Sequence, residues 1–384
     1  MKIALVENFG SDFFKARLRY AKFLKEKGED VFVIVPNDGF VSQIESEGLK
    51  VIAVGSNIRG KNLKNKFDYA KRLKQIFKEQ HFDLIHFYRF QPNIIGTFIA
   101  GLYTKAKIIN HITGLGKSFT DKSFTNIFFQ FIIKNLYRLN SFLFKPQTIF
   151  QNNEDIYDLG FKTRAHCIKG SAVNEDEFYK GYLSNNELDL KRIKSLLNIN
   201  KEDKVFLFVS RLLKEKGVLE LINGAIKANY KCNTPFVLLI IGWSDEQNPS
   251  SVSSQVIENY IGEHSFIKFL GKRSDINNLL AISDVAILPT YYREGTPRFL
   301  LESMAMSKPI ITTDVPGCNH LIPSGNNGIL IPPKNTEAIT NSMIDILGKD
   351  LEVLGNNSYN LYHNNFSEKI VYNSIYNIYN NIKL

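Results

Sequence analysis

Residues 288–317, LPTYYREGTPRFLLESMAMSKPIITTDVPG, contain the main signals of the fold in one stretch. The apolar run 285–289, which overlaps its start, predicts a buried strand. A loop follows, and 299–306 predict a helix with Thr296 as N-cap and Pro297 at the first helical position. A second apolar run, 310–313, comes next. This strand–helix–strand order is typical of a parallel sheet covered by helices.

The same alternation extends along the whole chain. The predicted strands are 3–7, 31–36, 50–54, 84–88, 108–112 and 148–151, then 205–210, 236–241, 267–270, 285–289 and 310–313. The predicted helices between them include 13–27, 63–80, 94–103, 217–228, 276–282 and 299–306. Because the strands are continuous apolar runs, we expect parallel sheets buried on both faces.

The pattern restarts near Val205 after a polar segment, 183–204, which predicts two doubly wound α/β domains. We place them at 1–180 and 181–366. Residues 367–384 predict a terminal helix whose Tyr-rich apolar stripe packs back on the first domain. Ligands of such sheets bind at the carboxyl ends of the strands, so we expect the site in a cleft between the domains.

Composition narrows the class of protein. With 384 residues and 44% hydrophobic side chains, the chain is too apolar to be disordered. No apolar run reaches the ~18 residues of a membrane span, and the first residues lack the features of a signal peptide. Three scattered cysteines fit neither a disulfide framework nor a zinc knuckle. We expect a soluble or peripheral cytoplasmic protein.

The net charge of +10 belongs to the first half of the chain. Residues 1–180 contain 28 basic and 18 acidic residues, whereas the remainder contains 20 of each. Such asymmetry favours an anionic partner, namely a nucleic acid, an acidic lipid surface or a phosphorylated acceptor. The alternative is that the basic surface serves only solubility.

Glu294 and Glu302 flank the predicted start of the helix after 285–289. A helix that begins at the carboxyl end of a strand is suited to bind a phosphate or diphosphate through its first amide groups. Since carboxylates repel phosphate, we expect these two to accept hydrogen bonds from hydroxyl groups, as on a ribose and a sugar. The alternative is a loop charge and a solvated helix residue.

A cationic segment, SRLLKEKG at 210–217, follows the predicted strand 205–210. Arg211 and Lys216 lie at a strand–loop–helix junction. Two cations at this edge of a sheet could bind a diphosphate and stabilise it as a leaving group.

These two segments resemble the family 4 retaining glycosyltransferases of the GT-B fold, which have an E-x7-E motif. SRLLKEKG and EGTPRFLLE carry the resemblance, and AMSKPIITTDVPGC extends it. VPNDGF, HITGLGKSF at 111–119, FQNNED and KGSAVNEDEF resemble the corresponding stretches of the first domain. The resemblance covers nearly the whole chain and is closest to bacterial α-1,3-N-acetylgalactosaminyl- and galactosyltransferases that extend sugars on undecaprenyl diphosphate.

The resemblance implies roles in the second domain. Glu302 would accept hydrogen bonds from the ribose, and Glu294 would contact the donor sugar. Arg211 and Lys216 would bind the UDP diphosphate at a helix start formed by four residues: Gly295, Thr296, Pro297 and Arg298. Cys318-Asn319-His320 departs from the family, in which a Glu is common there, so a nucleotide contact at this point is in doubt.

In the first domain, the resemblance places His111 opposite the donor sugar and the acceptor. Gly10 would allow close approach of the backbone to the donor. Arg17 and Lys117 would bind the acceptor, and Arg17 is a candidate for its phosphate. The alternatives are an ordinary histidine at a strand end for His111 and a solvated helix charge for Arg17.

No Asp-x-Asp motif and no histidine cluster with metal spacing occurs in the sequence. We therefore expect no metal and no cofactor, with cations and the helix start supplying the charge stabilisation. The family implies attack on the same face of the sugar, with an oxygen of the leaving phosphate accepting the proton of the acceptor.

Residues 124–145 are rich in phenylalanine but interrupted by Lys134, Arg138 and Lys145, which fits an interfacial helix better than a span. A second stretch, 59–78, has eight basic residues and one acid. Together they predict docking on an anionic membrane surface. The alternative for 124–145 is packing in the core.

The predicted function is a retaining glycosyltransferase that moves a hexose or N-acetylhexosamine from a UDP-sugar to a polyprenyl-diphosphate-linked saccharide. It would act at the inner face of the plasma membrane in assembly of an N-glycan, O-antigen or capsule. The alternatives are a GT-B epimerase or phosphorylase, or a basic nucleic-acid-binding protein.

Overall fold

The computed structural model describes residues 1–55, 63–116, 119–120, 123–182, 186–245 and 248–383. Predicted acceptor residue Lys117 lies outside these ranges. The chain divides into two compact units, one of Met1–Ala172 with Lys369–Leu384 and one of Val173–Glu368. Each unit contains a parallel sheet covered by helices, so the predicted α/β class with two doubly wound sheets is confirmed.

The first unit has a seven-stranded sheet in the order β3-β2-β1-β4-β5-β6-β7. Its strands are β1 (Lys2–Val6), β2 (Asp30–Val35), β3 (Lys50–Ala53), β4 (Leu84–Tyr88), β5 (Lys107–Ile112), β6 (Gln147–Phe150) and β7 (Ala165–Cys167). The direction in which successive strands are added reverses between β1 and β4. The loops that leave these two strands therefore diverge and open a crevice at the carboxyl edge.

The helices of this unit connect the strands. They are α1 (Gly10–Ala16), α2 (Leu18–Glu26), α3 (Val41–Ser46), α4 (Leu63–Gln80), α5 (Thr97–Tyr103), α6 (Phe124–Phe144) and α7 (Asn153–Leu159), with a π-helical turn at Pro92–Gly96 before α5. The helix predicted over 13–27 is two helices that meet at Arg17, whose φ of −124° and ψ of −18° interrupt the helical path.

The second unit has a six-stranded sheet in the order β10-β9-β8-β11-β12-β13. Its strands are β8 (Lys204–Val209), β9 (Phe236–Ile241), β10 (Ile267–Phe269), β11 (Val285–Leu288), β12 (Ile310–Thr313) and β13 (Gly328–Ile331). The reversal lies between β8 and β11. All residues of β9, β11 and β12 are buried, as expected for a sheet covered on both faces.

The helices of the second unit are α8 (Glu187–Leu196), α9 (Val218–Lys231), α10 (Ser254–Ile261), α11 (Ile276–Ile282), α12 (Arg298–Ala305), α13 (Thr336–Leu347) and α14 (Leu351–Asn365). The predicted cap of α12 is wrong by one residue. The helix begins at Arg298, and Pro297 rather than Thr296 is its N-cap, with φ −63° and ψ 118°. Proline suits either position because it has no N–H to satisfy.

The terminal helix, α15 (Glu368–Lys383), belongs to the first unit by its contacts. Its tyrosines pack on α2: the rings of Tyr372 and Tyr20 have centroids 5.2 Å apart. The hydroxyl of buried Tyr379 lies 2.6 Å from Nδ1 of His86 on β4. The apolar stripe of α15 is thus part of the core of this unit.

Candidate active site

The loop after β8 holds the cationic segment in a defined conformation. A single 3-10 turn, Lys214–Lys216, leads into α9. The carbonyl oxygen of Glu215 accepts hydrogen bonds from the backbone N–H groups of Tyr291 at 2.8 Å and Tyr292 at 3.0 Å, and from the hydroxyl of Thr290 at 3.1 Å. One carbonyl therefore joins the loops that leave β8 and β11.

Lys216 and Glu294 meet at this junction. The ammonium group of Lys216 contacts Oε1 of Glu294, and both side chains are largely buried. Nζ of Lys216 also lies 5.0 Å from the ring centroid of Tyr292. Because β8 and β11 are adjacent at the reversal of the sheet, this cation and this carboxylate face the place where such sheets bind ligands.

Arg211 lies at the same strand end but has a different partner. Its Nη1 is 3.4 Å from Oδ2 of Asp245, which follows β9. The sequence analysis did not single out Asp245. The structure thus brings Lys216 to Glu294 and places Arg211 with a carboxylate of the neighbouring loop.

Glu302 is buried on α12, one turn after Arg298. Nε of Arg298 donates to Oε1 of Glu302 at 2.7 Å. Burial raises the pKa of Glu302, although the charge of Arg298 and its hydrogen bond lower it. Its burial excludes the alternative of a solvated helix residue. A buried carboxylate anchored through one oxygen is suited to accept a hydrogen bond from a ligand hydroxyl.

The loop after β12 packs against the backbone of the residues that precede α12. Gly317 has φ +88°, and a Cβ there would lie 2.4 Å from the carbonyl oxygen of Gly295 and 2.5 Å from that of Glu294. The hydroxyl of Thr296 lies 3.3 Å from Nε2 of His320. Cys318 is buried beside this loop, and burial raises the pKa of its thiol to about 12, so it stays protonated.

A second pair of opposite charges lies at the reversal of the first sheet. Glu7 follows β1, Arg89 follows β4, and Nε of Arg89 lies 3.1 Å from Oε1 of Glu7. Arg89 also contacts Asp12 on α1, at 2.5 Å. Burial raises the pKa of Glu7 to about 7, although Arg89 and Arg17 lower it. Neither residue was predicted from the sequence, although an acid at the end of an apolar run was the available signal.

Arg17 is buried beside this pair, which excludes the alternative of a solvated charge. Its guanidinium lies 4.5 Å from the ring centroid of Tyr88, and its Nε has no hydrogen-bond partner in the described part of the chain. Arg17 also lies near enough to Glu7 to lower the pKa of that carboxyl group. The buried cation therefore faces an aromatic ring and an acid.

His111 lies on β5 and is fully buried. Its ring is parallel to that of His86, with centroids 5.5 Å apart, and neither ring nitrogen has a hydrogen-bond partner among the described residues. Burial lowers the pKa of His111 well below its ordinary value, so the ring is neutral.

Gly10 begins α1. Its N–H donates to Oδ2 of Asp38 at 2.8 Å, and a Cβ at Gly10 would lie 2.3 Å from Oδ1 of the same residue. The side chain of Asp38 therefore occupies the space that a side chain at position 10 would need. Among the described residues, no group of three or more His, Cys, Asp or Glu is placed to bind a metal ion.

Comparison with known families identifies both units. The model described as "Glycosyl transferases group 1" matches residues 190–361, and the model described as "Glycosyl transferase 4-like" matches residues 2–148. The chain is 32% identical over 348 residues to the N,N'-diacetylbacillosaminyl-diphospho-undecaprenol alpha-1,3-N-acetylgalactosaminyltransferase of Campylobacter jejuni, with 88% of each chain covered.

Two further comparisons agree with this. The chain is 23% identical to the UDP-Gal:alpha-D-GlcNAc-diphosphoundecaprenol alpha-1,3-galactosyltransferase of Escherichia coli, over 92% of this chain and 89% of that one. The crystal structure of a glycosyltransferase from Rickettsia africae superposes with a TM-score of 0.79 at 22% identity, over 99% of this chain and 98% of that one.

The packing of Gly317 gives a testable prediction. We expect Gly317→Ala to destabilise the second unit by about 2 kcal/mol or more, because its Cβ would displace the backbone of Glu294 and Gly295. Gly325→Ala is the matched control: its φ is +71°, but a Cβ there meets nothing within 4 Å, so only the backbone cost of about 1 kcal/mol applies. Urea unfolding followed by fluorescence of Trp243, the single tryptophan, measures both. Equal midpoints for the two variants would contradict the contact.

Proposed function

The chain belongs to the glycosyl transferase group 1 family and is a glycosyltransferase, and from this premise we propose that it transfers a sugar from a UDP-sugar to a polyprenyl-diphosphate-linked saccharide. The observation that carries the proposal is the pair Lys216–Glu294 at the reversal of the second sheet. Lys216 and Glu294 meet there, and α12 begins at Arg298, four residues after Glu294. Such a set of groups suits a nucleoside diphosphate bound to a sugar.

We propose the roles in donor binding that the resemblance implies. The diphosphate pairs with Lys216 and Arg211 and approaches the start of α12 at Gly295, Thr296, Pro297 and Arg298. Glu302, anchored by Arg298, accepts from the ribose. Glu294, released from Lys216 by the incoming diphosphate, accepts from the hydroxyls of the donor sugar.

The acceptor belongs to the first unit in this proposal. Buried Arg17 pairs with a phosphate of the lipid diphosphate, with Lys117 as a second acceptor residue. The resemblance implies a role for His111 toward the donor sugar and the acceptor, and burial keeps its ring neutral. N-acetylgalactosamine is the sugar favoured by the similarity to the Campylobacter jejuni enzyme.

We propose that the configuration at the anomeric carbon is retained. The bond from this carbon to the phosphate oxygen breaks, and the acceptor oxygen bonds on the same face. The acceptor proton passes to an oxygen of the leaving phosphate. Lys216 and Arg211 stabilise the charge that develops on the UDP, without a metal or cofactor in this proposal.

The site of action in this proposal is the inner face of the cytoplasmic membrane, during assembly of an N-glycan, O-antigen or capsule. The support is the similarity to two enzymes whose names specify undecaprenyl-linked acceptors. The partners are a UDP-sugar, the lipid-linked saccharide and an anionic membrane surface, and not a nucleic acid.

A screen of transfer tests the proposal. The full chain is incubated with UDP-GalNAc, UDP-Gal, UDP-GlcNAc or UDP-Glc and a short-chain, water-soluble lipid-diphosphate sugar, and products are identified by mass spectrometry. We expect one sugar to be added with retention. Epimerisation of a UDP-sugar without transfer, or a gel shift with nucleic acid and no transfer, would overturn it.

Two variants separate turnover from donor binding. We expect Lys216→Ala to lower kcat by about 100-fold, because it removes a charge aimed at the leaving group. Glu302→Ala should raise KM for the UDP-sugar about tenfold, because one hydrogen bond to a charged group is lost. Exposed Lys214→Ala and Glu352→Ala are the matched controls, with near-normal kinetics expected. Near-normal activity in both site variants would refute this assignment of the donor site.

A pH dependence follows from the pKa of about 7 at Glu7. Below this pH the carboxyl group is neutral and the region around Arg17 is more positive. Above it the carboxylate offsets that charge. We therefore expect KM for the anionic acceptor to rise about fivefold, or about 1 kcal/mol, as pH increases through 7.

The groups that face Glu7 are Arg89, Arg17 and Asp12, with Tyr69 and Tyr88 also near. The carboxyl group of Glu7 has a pKa of about 7. Glu7→Gln should therefore remove the step while keeping the KM measured at low pH, as steady-state kinetics from pH 6 to 8 would show. The same step in the variant would assign it to another group.

A further inference from the structure

The inner face of helix α6 combines polar and apolar contacts with the rest of the first unit. The ring of Tyr137 packs on Phe90 and Phe161, with centroids 6.0 and 6.2 Å away. Asn140 and Tyr137 are its buried residues. Nδ2 of Asn140 donates to the carbonyl oxygen of Ile94 at 2.9 Å, and Nδ2 of Asn93 donates to the hydroxyl of Tyr137 at 3.2 Å. These hydrogen bonds fix which face of α6 points inward.

The opposite face of α6 is exposed and apolar. Phe124, Phe128, Phe131 and Phe142 recur at helical spacing, with Phe124 87% and Phe142 79% exposed. Leu139 and Leu143 are exposed beside them. A helix with most of its phenylalanine side chains exposed departs from the usual arrangement on a water-soluble surface. Such a face marks a site of contact with another apolar surface.

The apolar face continues onto α5, where Phe98 and Leu102 are exposed. The rings of Phe98 and Phe144 have centroids 5.8 Å apart, so the two helices form one patch. On its far side, Nζ of Lys74 lies 4.5 Å from the ring centroid of Tyr103 on α5. Lys74 comes from the basic helix α4, which places positive charge along this border of the patch.

The other border has a cavity of about 340 Å³ with three cations. Arg138, Lys162 and Arg164 line it together with Phe142 of the exposed face. Within the described residues, none of these three cationic side chains has a hydrogen-bond or ion-pair partner. The lining also supplies the hydroxyls of two residues, Ser141 and Thr163. The polar residues of the lining are hydrogen-bond donors, and the lining includes no carboxylate. Such a lining is suited to bind a phosphate group.

The cavity is separate from the proposed acceptor site. It lies where α6 ends before β6 and α7 ends before β7, and therefore at the edge where the strands begin. Glu7, Arg89 and His111 lie at the edge where the strands end. Because all strands of the sheet are parallel, these are opposite edges.

We infer that the α5–α6 patch docks on an anionic lipid bilayer, with the phosphate of a lipid headgroup in the cavity of Arg138, Lys162 and Arg164. Aromatic side chains inserted among lipid chains and cations at the level of the phosphates are the two signals that together hold a protein at a membrane surface. In the described part of the chain, no helix is long and apolar enough to cross the bilayer. This inference rests on the proposed function, in which the acceptor is lipid-linked. It identifies the surface of the enzyme that contacts the membrane.

The test is binding of the full chain to sedimented vesicles of phosphatidylcholine alone or mixed with phosphatidylglycerol. We expect binding to the mixed vesicles only. The apolar variant is Phe128→Ser/Phe131→Ser/Phe142→Ser, and the charge variant is Arg138→Gln/Lys162→Gln/Arg164→Gln. Each should weaken binding about tenfold or more, and the charge variant should also reduce the dependence on phosphatidylglycerol.

Matched controls make the same changes on the second unit. Exposed apolar residues there are replaced in Leu188→Ser/Leu196→Ser/Tyr230→Ser, and exposed cations in Arg192→Gln/Lys201→Gln/Lys349→Gln. Both controls should bind vesicles nearly as the wild type does. Equal losses in the site variants and the controls would overturn the inference, because net charge or general apolarity would then explain binding.

Other occupants give different results. Loss of a dimer in the apolar variant, seen by light scattering, would assign the patch to a second copy of the chain. Binding of inorganic phosphate in calorimetry, lost in the charge variant, with equal binding to both vesicle types, would make the cavity a free-anion site. Either result would overturn lipid docking. Transfer to the water-soluble acceptor needs no vesicle, so the proposed function stands or fails separately.

Discussion

Three loops of the second unit are arranged around the buried ion pair between Lys216 and Glu294. Removing two charges from water costs several kcal/mol for each ion, so the pair persists only because its loops are held rigidly. The Glu215 carbonyl joins the two loops, and Gly317 supports the backbone of Glu294 from the next one. In the proposed function a diphosphate takes the place of Glu294 at the ammonium. The charge is then compensated before and after binding, and the carboxylate becomes available to the sugar.

The first unit repeats this arrangement with the charges exchanged. In each sheet the reversal separates two neighbouring strands, and an acid and a base follow them: Glu7 and Arg89 here, Lys216 and Glu294 in the second unit. Diverging loops leave space at the reversal, and the low polarity of the sheet edge makes an unpaired charge there costly. The first unit has an additional buried cation, Arg17. Asp12 also contacts Arg89, so two acids and two cations lie at this reversal. In the proposed function Arg17 pairs with the anionic acceptor, whereas the pair Lys216–Glu294 suits a ligand with both a diphosphate and hydroxyl groups.

The sequence predicted the strands that are buried on both faces, because continuous apolar runs have no other common explanation. It missed β7 (Ala165–Cys167) and β13 (Gly328–Ile331), which are short strands at the sheet edges and include His166 or Gly328. Lys216 and Glu294 could be assigned to one site because both follow buried strands. The partners of Arg211 and Glu302 could not, since spacing along the chain does not give side-chain direction. The burial of Arg17 depends on a break between two helices that apolar periodicity does not show.

Helix α6 illustrates the same limit for a surface. Its phenylalanines satisfy a helical period whether the helix lies in a core or at an interface, so composition leaves both alternatives open. The contacts of its inner face decide between them: Asn140 and Tyr137 bond to the turn at Pro92–Gly96, and the ring of Tyr137 packs on Phe90 and Phe161. The inner face is filled by these contacts, and the phenylalanines of the opposite face stay exposed. In the docking that we infer, the bilayer that carries the lipid-linked acceptor covers those rings.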